Sequence, residues 1–276
     1  MKISEVKELL AGVPTEAQLA ELATDSRSGV QKLLAGYYKK LEKLAAERER
    51  FHKMTEFERK HYAAGATLVA GVDEAGRGPL AGPLVIAAVI LPQDCFISGL
   101  NDSKQLSAHK REQLFDEIIT KAIDIKVNIV SVSNIDSKNI YVATQQGMAE
   151  VLLALAKQPQ VALIDAMPVQ AGNIKTESLI HGDALSVSIA AASIIAKVTR
   201  DRIMERLDGV FPAYGFAGNK GYGSAAHMQA IRELGATRWH RRSYEPVKSM
   251  GLEPVAVEEN ILYNPQEGYY EYPVGK

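Results

Sequence analysis

Residues Val72–Leu91 read VDEAGRGPLAGPLVIAAVIL, and this stretch decides how the rest of the 276-residue chain is read. An apolar run from Leu68 to Val72 ends in two adjacent carboxylates, Asp73 and Glu74; Gly-Arg-Gly follows, then a second apolar run from Leu84 to Leu91. The pattern predicts a strand, an acidic tip, a tight connection and a returning strand. Successive strand residues face opposite ways, so neighbouring acids serve one site only where the strand ends or bends. Gly76 and Gly78 allow backbone conformations that a side chain would forbid, while Pro79 and Pro83 remove two amide donors and discourage helix. The acids are therefore expected at a strand end beside exposed backbone amides, with Arg77 held between them.

Two other readings compete. A surface loop whose Asp-Glu pair is neutralised by Arg77 would carry no chemistry. Gly76, Gly78 and Gly82 also nearly match the dinucleotide pattern G-x-G-x-x-G, but that pattern must follow its strand directly and open a helix. Here a Val- and Ile-rich run bounded by prolines follows, and two acids would face the pyrophosphate.

A chain of this length can bury a substantial core, and its 46% hydrophobic and 24% charged content is ordinary for a soluble globular protein. No apolar run approaches the roughly 20 residues that span a bilayer. Met1 to Gly12 carries Glu5 and Glu8, unlike a secretory signal, so a cytoplasmic protein without membrane attachment is expected. Cys95 is the single cysteine, which excludes an internal disulfide and a thiolate metal cluster. With a formal charge of -1, any nucleic-acid binding must come from local patches of Lys and Arg.

Residues 1–66 read as a helical extension: a short helix over Ser4–Ala11, a break at Val13-Pro14 with Thr15 as the next cap, and a long amphipathic helix from Val30. Leu33, Leu34, Tyr37, Leu41, Leu44 and Phe51 recur there at helical spacing. Its lysines and arginines make either a solvated face or an accessory nucleic-acid contact. A catalytic domain is expected over 67–250, where helices are predicted at Ser107–Ile123, Ile140–Ala156 and Leu185–Leu207, and strands at Lys126–Ser133 and Val161–Ile164. Alternation of this kind suggests a mixed sheet covered by helices. Residues 251–276 read as an acidic tail.

Three separate segments deliver acid at an element end: Asp73 with Glu74, Asp165 after a strand, and Asp183 before a helix. Ligands of open α/β sheets bind beyond the carboxyl ends of the strands. Carboxylates converging there repel one another unless a cation sits between them, and the fitting cation is hard and oxygen-loving, Mg²⁺ or Mn²⁺. Four acids shared by two such ions make a site suited to phosphodiester cleavage. Asp201 is excluded, since one continuous helix would carry it about 27 Å beyond Asp183; pairing with Arg200 or Arg202 is expected instead. The small residues Ser186, Ser188, Ala190–Ala192 and Ser193 suggest a helix lying close against the sheet.

Assembled, these segments resemble bacterial ribonuclease HII from about Leu68 to Met250, through VDEAGRGPLAGP, GLNDSKQLS, LIDA, HGDALSVSIAAASIIAKVTRDRIM, FPAYGFAGNKGYGSAAH and HRRSYEPVKS. Ribonuclease HIII is less similar, lacking an arginine at the position of Arg77. The resemblance implies a ribonuclease H-like α/β fold and a metal-dependent endoribonuclease acting on RNA/DNA hybrids and on duplex DNA containing ribonucleotides. It implies cutting on the 5′ side of the ribonucleotide to leave a 3′-hydroxyl and a 5′-phosphate. Asp73, Glu74, Asp165 and Asp183 match the catalytic acids that hold two Mg²⁺ or Mn²⁺ ions. Gly76, Arg77 and Gly78 match the turn that reads the ribose 2′-hydroxyl, and Tyr222 the tyrosine that stacks at the RNA-DNA junction. After Asp165 the chain reads AMPV where many relatives carry glycine and asparagine. Lys104, Lys197, Lys220, Arg241 and Arg242 are candidate contacts to the nucleic-acid backbone, Lys104 within the substrate site itself. The chain is expected to act as a monomer. A DNA resolvase-like nuclease of the same fold and a non-catalytic hybrid-binding module are the alternatives.

Overall fold

The computed structural model describes residues 1–251 and the backbone of 269–271; the rest of the expected acidic tail lies outside the described residues. The chain forms two compact units, Met1–His52 and Lys53–Lys276. Among the described residues, no helix is long and apolar enough to cross a membrane.

In the first unit, α1 (Ile3–Ala11) and α2 (Glu16–Thr24) precede the long α3 (Ser28–Met54). Thr15 starts α2 as expected: its hydroxyl accepts from the Gln18 amide while the Gln18 side chain accepts from the Thr15 amide, so each satisfies an otherwise orphaned donor. Val6, Leu22, Val30 and Leu34 bury one apolar seam. Leu41 and Leu44, predicted on the apolar face of α3, are exposed, because α1 and α2 cover only the first part of that helix.

The second unit begins with α4 (Glu56–Ala63), then β1 (Val69–Ala75), β2 (Leu84–Ile90), α5 (Ala108–Lys121), β3 (Asp124–Val130), α6 (Val132–Lys138), α7 (Ile140–Leu153), β4 (Val161–Asp165) and β5 (Lys175–Leu179). After these come α8 (Gly182–Leu185), α9 (Val187–Val210), α10 (Phe216–Asn219), α11 (Ala225–Leu234), α12 (Val247–Met250) and the short β6 (Tyr269–Glu271). The sheet order is β5-β4-β1-β2-β3-β6. β1 pairs antiparallel with β2 and parallel with β4, which puts the ends of β1 and β4 side by side.

All seven residues of β2 are buried because helices cover both faces. Alternate residues Ala70, Val72, Leu84, Ile86 and Ala88 pack with Met148, Val151 and Leu152 of α7. The opposite face of β1 takes α9. Two expectations change here. β3 ends at Val130, before the predicted Ser133, because the Ser131 hydroxyl accepts from the Asn134 amide and caps α6. The helix expected to be continuous from Leu185 is broken at Ser186, whose extended backbone separates α8 from α9.

Gly71 sets the distance between β1 and α9, since a Cβ there would lie 2.0 Å from the Ser188 carbonyl carbon. Gly71→Ala has backbone to displace, with no flexible side chain to yield. Overpacking of this kind costs about 3 kcal/mol, to be read as a lowered urea midpoint at unchanged slope.

Candidate active site

β1 carries Asp73 on its α9 face, where the carboxyl is 4% exposed. Its Oδ1 accepts from the Glu74 amide at 2.7 Å, and Ser193, on the facing side of α9, works against the rise in its pKa while its hydroxyl bonds that of Ser103. Asp165 closes β4, and one of its oxygens accepts from the Gly182 amide at 2.7 Å. That bond ties the strand end to α8, which carries Asp183 one residue later. Asp183 is buried, and its Oδ2 has no hydrogen-bond partner among the described residues.

The structure brings the four acids into one electrostatic cluster, with Asp165 as their common neighbour. Burial, then the charges of Glu74 and Asp165, push the Asp73 carboxyl well up. Burial also lifts Glu74 to about 7, with Asp165 adding to the rise and Arg77 and Lys104 opposing it. Asp183 rises through burial and the charges of Asp102 and Asp165, against the pull of Lys104. The Lys104 ammonium lies 3.6 Å from Asp183. Burial draws its pKa down, but Asp183, Asp73, Asp102 and Asp165 together raise it.

An all-oxygen donor set, raised carboxylate pKa values and a buried unpartnered oxygen fit a hard divalent cation. Among the described residues, no three such side chains already close around a single point, and Lys104 is the cation the acids face. Asp102 was not singled out from sequence. Its Oδ1 accepts from the Lys104 amide and turns the loop so that Lys104 enters the cluster. A carboxyl beside Ser103 and Lys104 in the polar stretch NDSK was the available signal.

The Gly-Arg-Gly turn is built from beneath by two buried arginines. Arg241, 0% exposed, donates to the carbonyls of Gly76, Arg77 and Gly82. Arg200, 1% exposed, donates to those of Ala81, Pro83 and Lys220. A trans peptide points its N–H opposite its C=O. Carbonyls of Gly76 and Arg77 drawn inward therefore turn the amides of Arg77 and Gly78 outward, and neither donates to a protein group among the described residues. Gly76 is required here: its φ is +98°, and a Cβ would lie 2.1 Å from Arg200 Nε. Arg77 is exposed and 3.7 Å from Glu74.

Tyr222 presents its ring at 53% exposure beside Gly78, where a Cβ would lie 3.6 Å from its Cε1. Its loop is joined to the turn through Gly221, whose carbonyl accepts from the amides of Leu80 and Ala81. A pair of buried histidines holds it from behind. The Thr237 amide donates to His240 Nδ1 at 2.9 Å, so the His240 proton is on Nε2 and goes to His227 Nε2 at 3.0 Å; His227 Nδ1–H then donates to the Tyr222 carbonyl at 2.8 Å. Both rings are neutral: burial and the neighbouring His227 push His240 down to about 3, and burial lowers His227.

Other expected contacts move. Arg241 is structural rather than a surface contact, because its guanidinium is spent on carbonyls. Lys220 pairs with Glu205 at 2.7 Å, and Lys197 pairs with Asp201 at 2.6 Å. Asp201 thus takes Lys197 and, at 3.9 Å, Arg111; Arg200 points into the core, and Arg202 pairs with Glu112 over the Phe115 ring. Arg242 donates its amide to Asp136. Ala166, in the AMPV variant, adopts φ +46°, a left-handed conformation easier for glycine.

A family model described as Ribonuclease HII matches residues 70–247, and one described as Ribonuclease HII N-terminal domain matches residues 2–62. The chain belongs to the ribonuclease HII family. It is 49% identical over 247 residues to ribonuclease HII of Latilactobacillus sakei, covering 90% of this chain and 97% of that one. It is 50% identical over 253 residues to ribonuclease HII of Geobacillus thermodenitrificans, with the same coverage. Among solved structures, ribonuclease H2 of Pyrococcus horikoshii superposes with a TM-score of 0.59 at 30% identity, covering 66% of this chain and 96% of that one. Ribonuclease H activity goes with ribonuclease HII membership: the chain is a metal-dependent endoribonuclease that acts on RNA/DNA hybrids.

The histidine pair gives this ribonuclease HII a measurable pH signature. A histidine depressed from 6.5 to about 3 is neutral when folded but takes up a proton on unfolding between those values. Its stability contribution is therefore whole above 6.5 and is lost as pH falls toward 3. At about 1.4 kcal/mol per unit, the contribution falls by about 3 kcal/mol by pH 4. In urea titrations at pH 7 and pH 4, His240→Asn should remove most of that decline, and a variant retaining the parental slope would contradict the neutral pair.

Proposed function

We propose that the chain cuts the RNA strand on the 5′ side of a ribonucleotide, including a single one embedded in duplex DNA, leaving a 3′-hydroxyl and a 5′-phosphate. The reading rests on one observation: acids from three separate segments meet around Asp165, beside a turn whose free amides face outward next to an exposed tyrosine.

Asp73, Glu74, Asp165 and Asp183 would hold two Mg²⁺ or Mn²⁺ ions. When bound, such ions lower the pKa of an attacking water and offset charge on the leaving 3′-oxygen. Protein residues supply the rest. The Gly182 amide fixes one oxygen of Asp165 and the Glu74 amide one oxygen of Asp73, so the carboxylates meet the scissile phosphate in a set orientation. Lys104 balances the acids and offers a cation to the substrate backbone.

A 2′-hydroxyl, both donor and acceptor, separates RNA from DNA. The Arg77 and Gly78 amides can donate to it at a place where no Cβ of Gly78 blocks approach, while Arg77 meets a phosphate. Tyr222 offers a flat face to the neighbouring sugar or base. A monomer working in the cytoplasm is part of the same proposal.

The test is a duplex bearing one ribonucleotide, incubated with and without Mg²⁺, with the cut mapped. Cleavage on the 5′ side only with the ion supports the reading; cleavage of all-DNA junctions would favour a resolvase-like nuclease, and metal-independent binding without a cut a non-catalytic module. Asp73→Asn should lower the rate by on the order of a thousandfold, about 4 kcal/mol, while hybrid affinity by fluorescence anisotropy stays within about threefold.

A further inference from the structure

Helix α4 falls within the stretch matched as the N-terminal domain, yet it packs in the compact unit that carries the acids. Phe57 and Tyr62 join the cluster of Val69, Val161, Leu163 and Ile189, and Lys60 and His61 both hold Glu177 of β5. Between them, Glu58 turns inward and is 3% exposed.

Its destination is the break between α8 and α9. Glu58 Oε1 accepts from the Ser186 hydroxyl at 2.5 Å and from the Ser188 amide at 3.0 Å. Ser186 Oγ in turn accepts from the Ile189 amide at 3.1 Å, capping α9, and the Ser186 amide donates to the Gly182 carbonyl at 2.8 Å. Gly182 is the residue whose amide fixes Asp165, and Asp183 follows it. The Ser186 cap satisfies one amide of the first turn of α9, that of Ile189, and Glu58 takes a second, that of Ser188. The buried carboxyl leaves Oε2 without a partner among the described residues, a desolvation cost that calls for a gain elsewhere.

We propose that Glu58 is a positioning residue for the reaction: by fixing the hydroxyl of Ser186 it locks the short helix α8, and so the directions of Asp165 and Asp183. The inference rests on the assignment of those two acids as ion-holding groups. Both accepted bonds fall on one oxygen, Oε1. Burial pushes the Glu58 pKa up, against the bonds from Ser186 and Ser188. A glutamine amide oxygen can accept the same two bonds, so Glu58→Gln should rescue what Glu58→Ala loses.

The experiment uses the full chain and compares Glu58→Ala, Glu58→Gln, Ser186→Ala and Asp183→Asn. Fold is checked by circular dichroism, turnover is measured on the single-ribonucleotide duplex, and Mn²⁺ binding without substrate by calorimetry. For folded Glu58→Ala, kcat should fall about ten- to a hundredfold, the scale of slightly misplaced groups, with KM within about threefold. Mn²⁺ affinity should fall about tenfold or more, while Glu58→Gln keeps both properties within about threefold of the parent. Parental kcat and Mn²⁺ affinity in Glu58→Ala would overturn the proposal, as would a Glu58→Gln variant as impaired as the alanine. If Glu58→Ala does not fold, Ser186→Ala decides: the same double loss supports the role, and parental values refute it. Asp183→Asn should lose both cleavage and Mn²⁺ binding; keeping both would instead refute the underlying acid assignment, and the inference with it.

Discussion

Carboxylates crowded at neighbouring strand ends repel, and the second unit is arranged around containing that repulsion. Each of Asp73, Glu74 and Asp183 has its pKa raised by Asp165 as well as by burial. A fold accommodates such a group either by protonating some of its members or by setting a cation among them. Lys104 supplies one positive charge, brought in by the Asp102 turn. Arg77 lies 3.7 Å from Glu74 and adds a second; two cations among five acids, Asp102 included, still leave more carboxyls than positive charges, and a divalent ion would offset that difference. The energetic strain and the proposed chemistry are thus the same feature seen from two sides.

The turn next to it solves the opposite problem. Arg200 and Arg241 are buried cations whose hydrogen-bond partners are carbonyl oxygens. Burial lowers both pKa values, Arg200 to about 10, where the charge of Arg241 adds to the fall. Buried charge without a carboxylate is expensive, and here six backbone dipoles from two loops are turned toward it. Those dipoles cannot be turned without turning their amides the other way. The outward-facing amides of Arg77 and Gly78 are therefore a mechanical consequence of where the cations lie.

How much of this was legible varies with its physical origin. The strand-turn-strand of Val72–Leu91 was legible because hydrophobic runs and glycine-proline punctuation are local signals. The placing of Asp73, Glu74 and Asp165 was legible in part, since each of those segments follows an apolar run and β1 pairs parallel with β4, whereas Asp183 comes in from a helix start. The arginine frame was not. Arg241 lies in a basic stretch, HRRS, and charge alone suggests a surface contact; only the fold shows that six carbonyls converge on it and on Arg200. Asp201 was rightly set apart from the acids, but its partners were misjudged, because the inward turn of Arg200 depends on a loop more than a hundred residues away. The break at Ser186 was hidden for a related reason. An extended residue between two helical runs leaves little trace in periodicity, and its stabilising partner, Glu58, comes from a distant helix.

The separation between recognition and cleavage follows from covalent geometry. Glu74 is the penultimate residue of β1, and Gly78 lies four residues on, so their backbones cannot be more than about 14 Å apart. The turn between them is held by Arg241 and Tyr244, which both donate to the Arg77 carbonyl. On the proposed reading, the distance from the sugar that is read to the phosphate that is cut is then set by one short piece of backbone and the buried cations behind it. A ruler of this kind does not depend on domain closure. It makes the choice of scissile bond a property of the β1 strand and its turn, while Glu58 and α8 set how the remaining acids meet that bond.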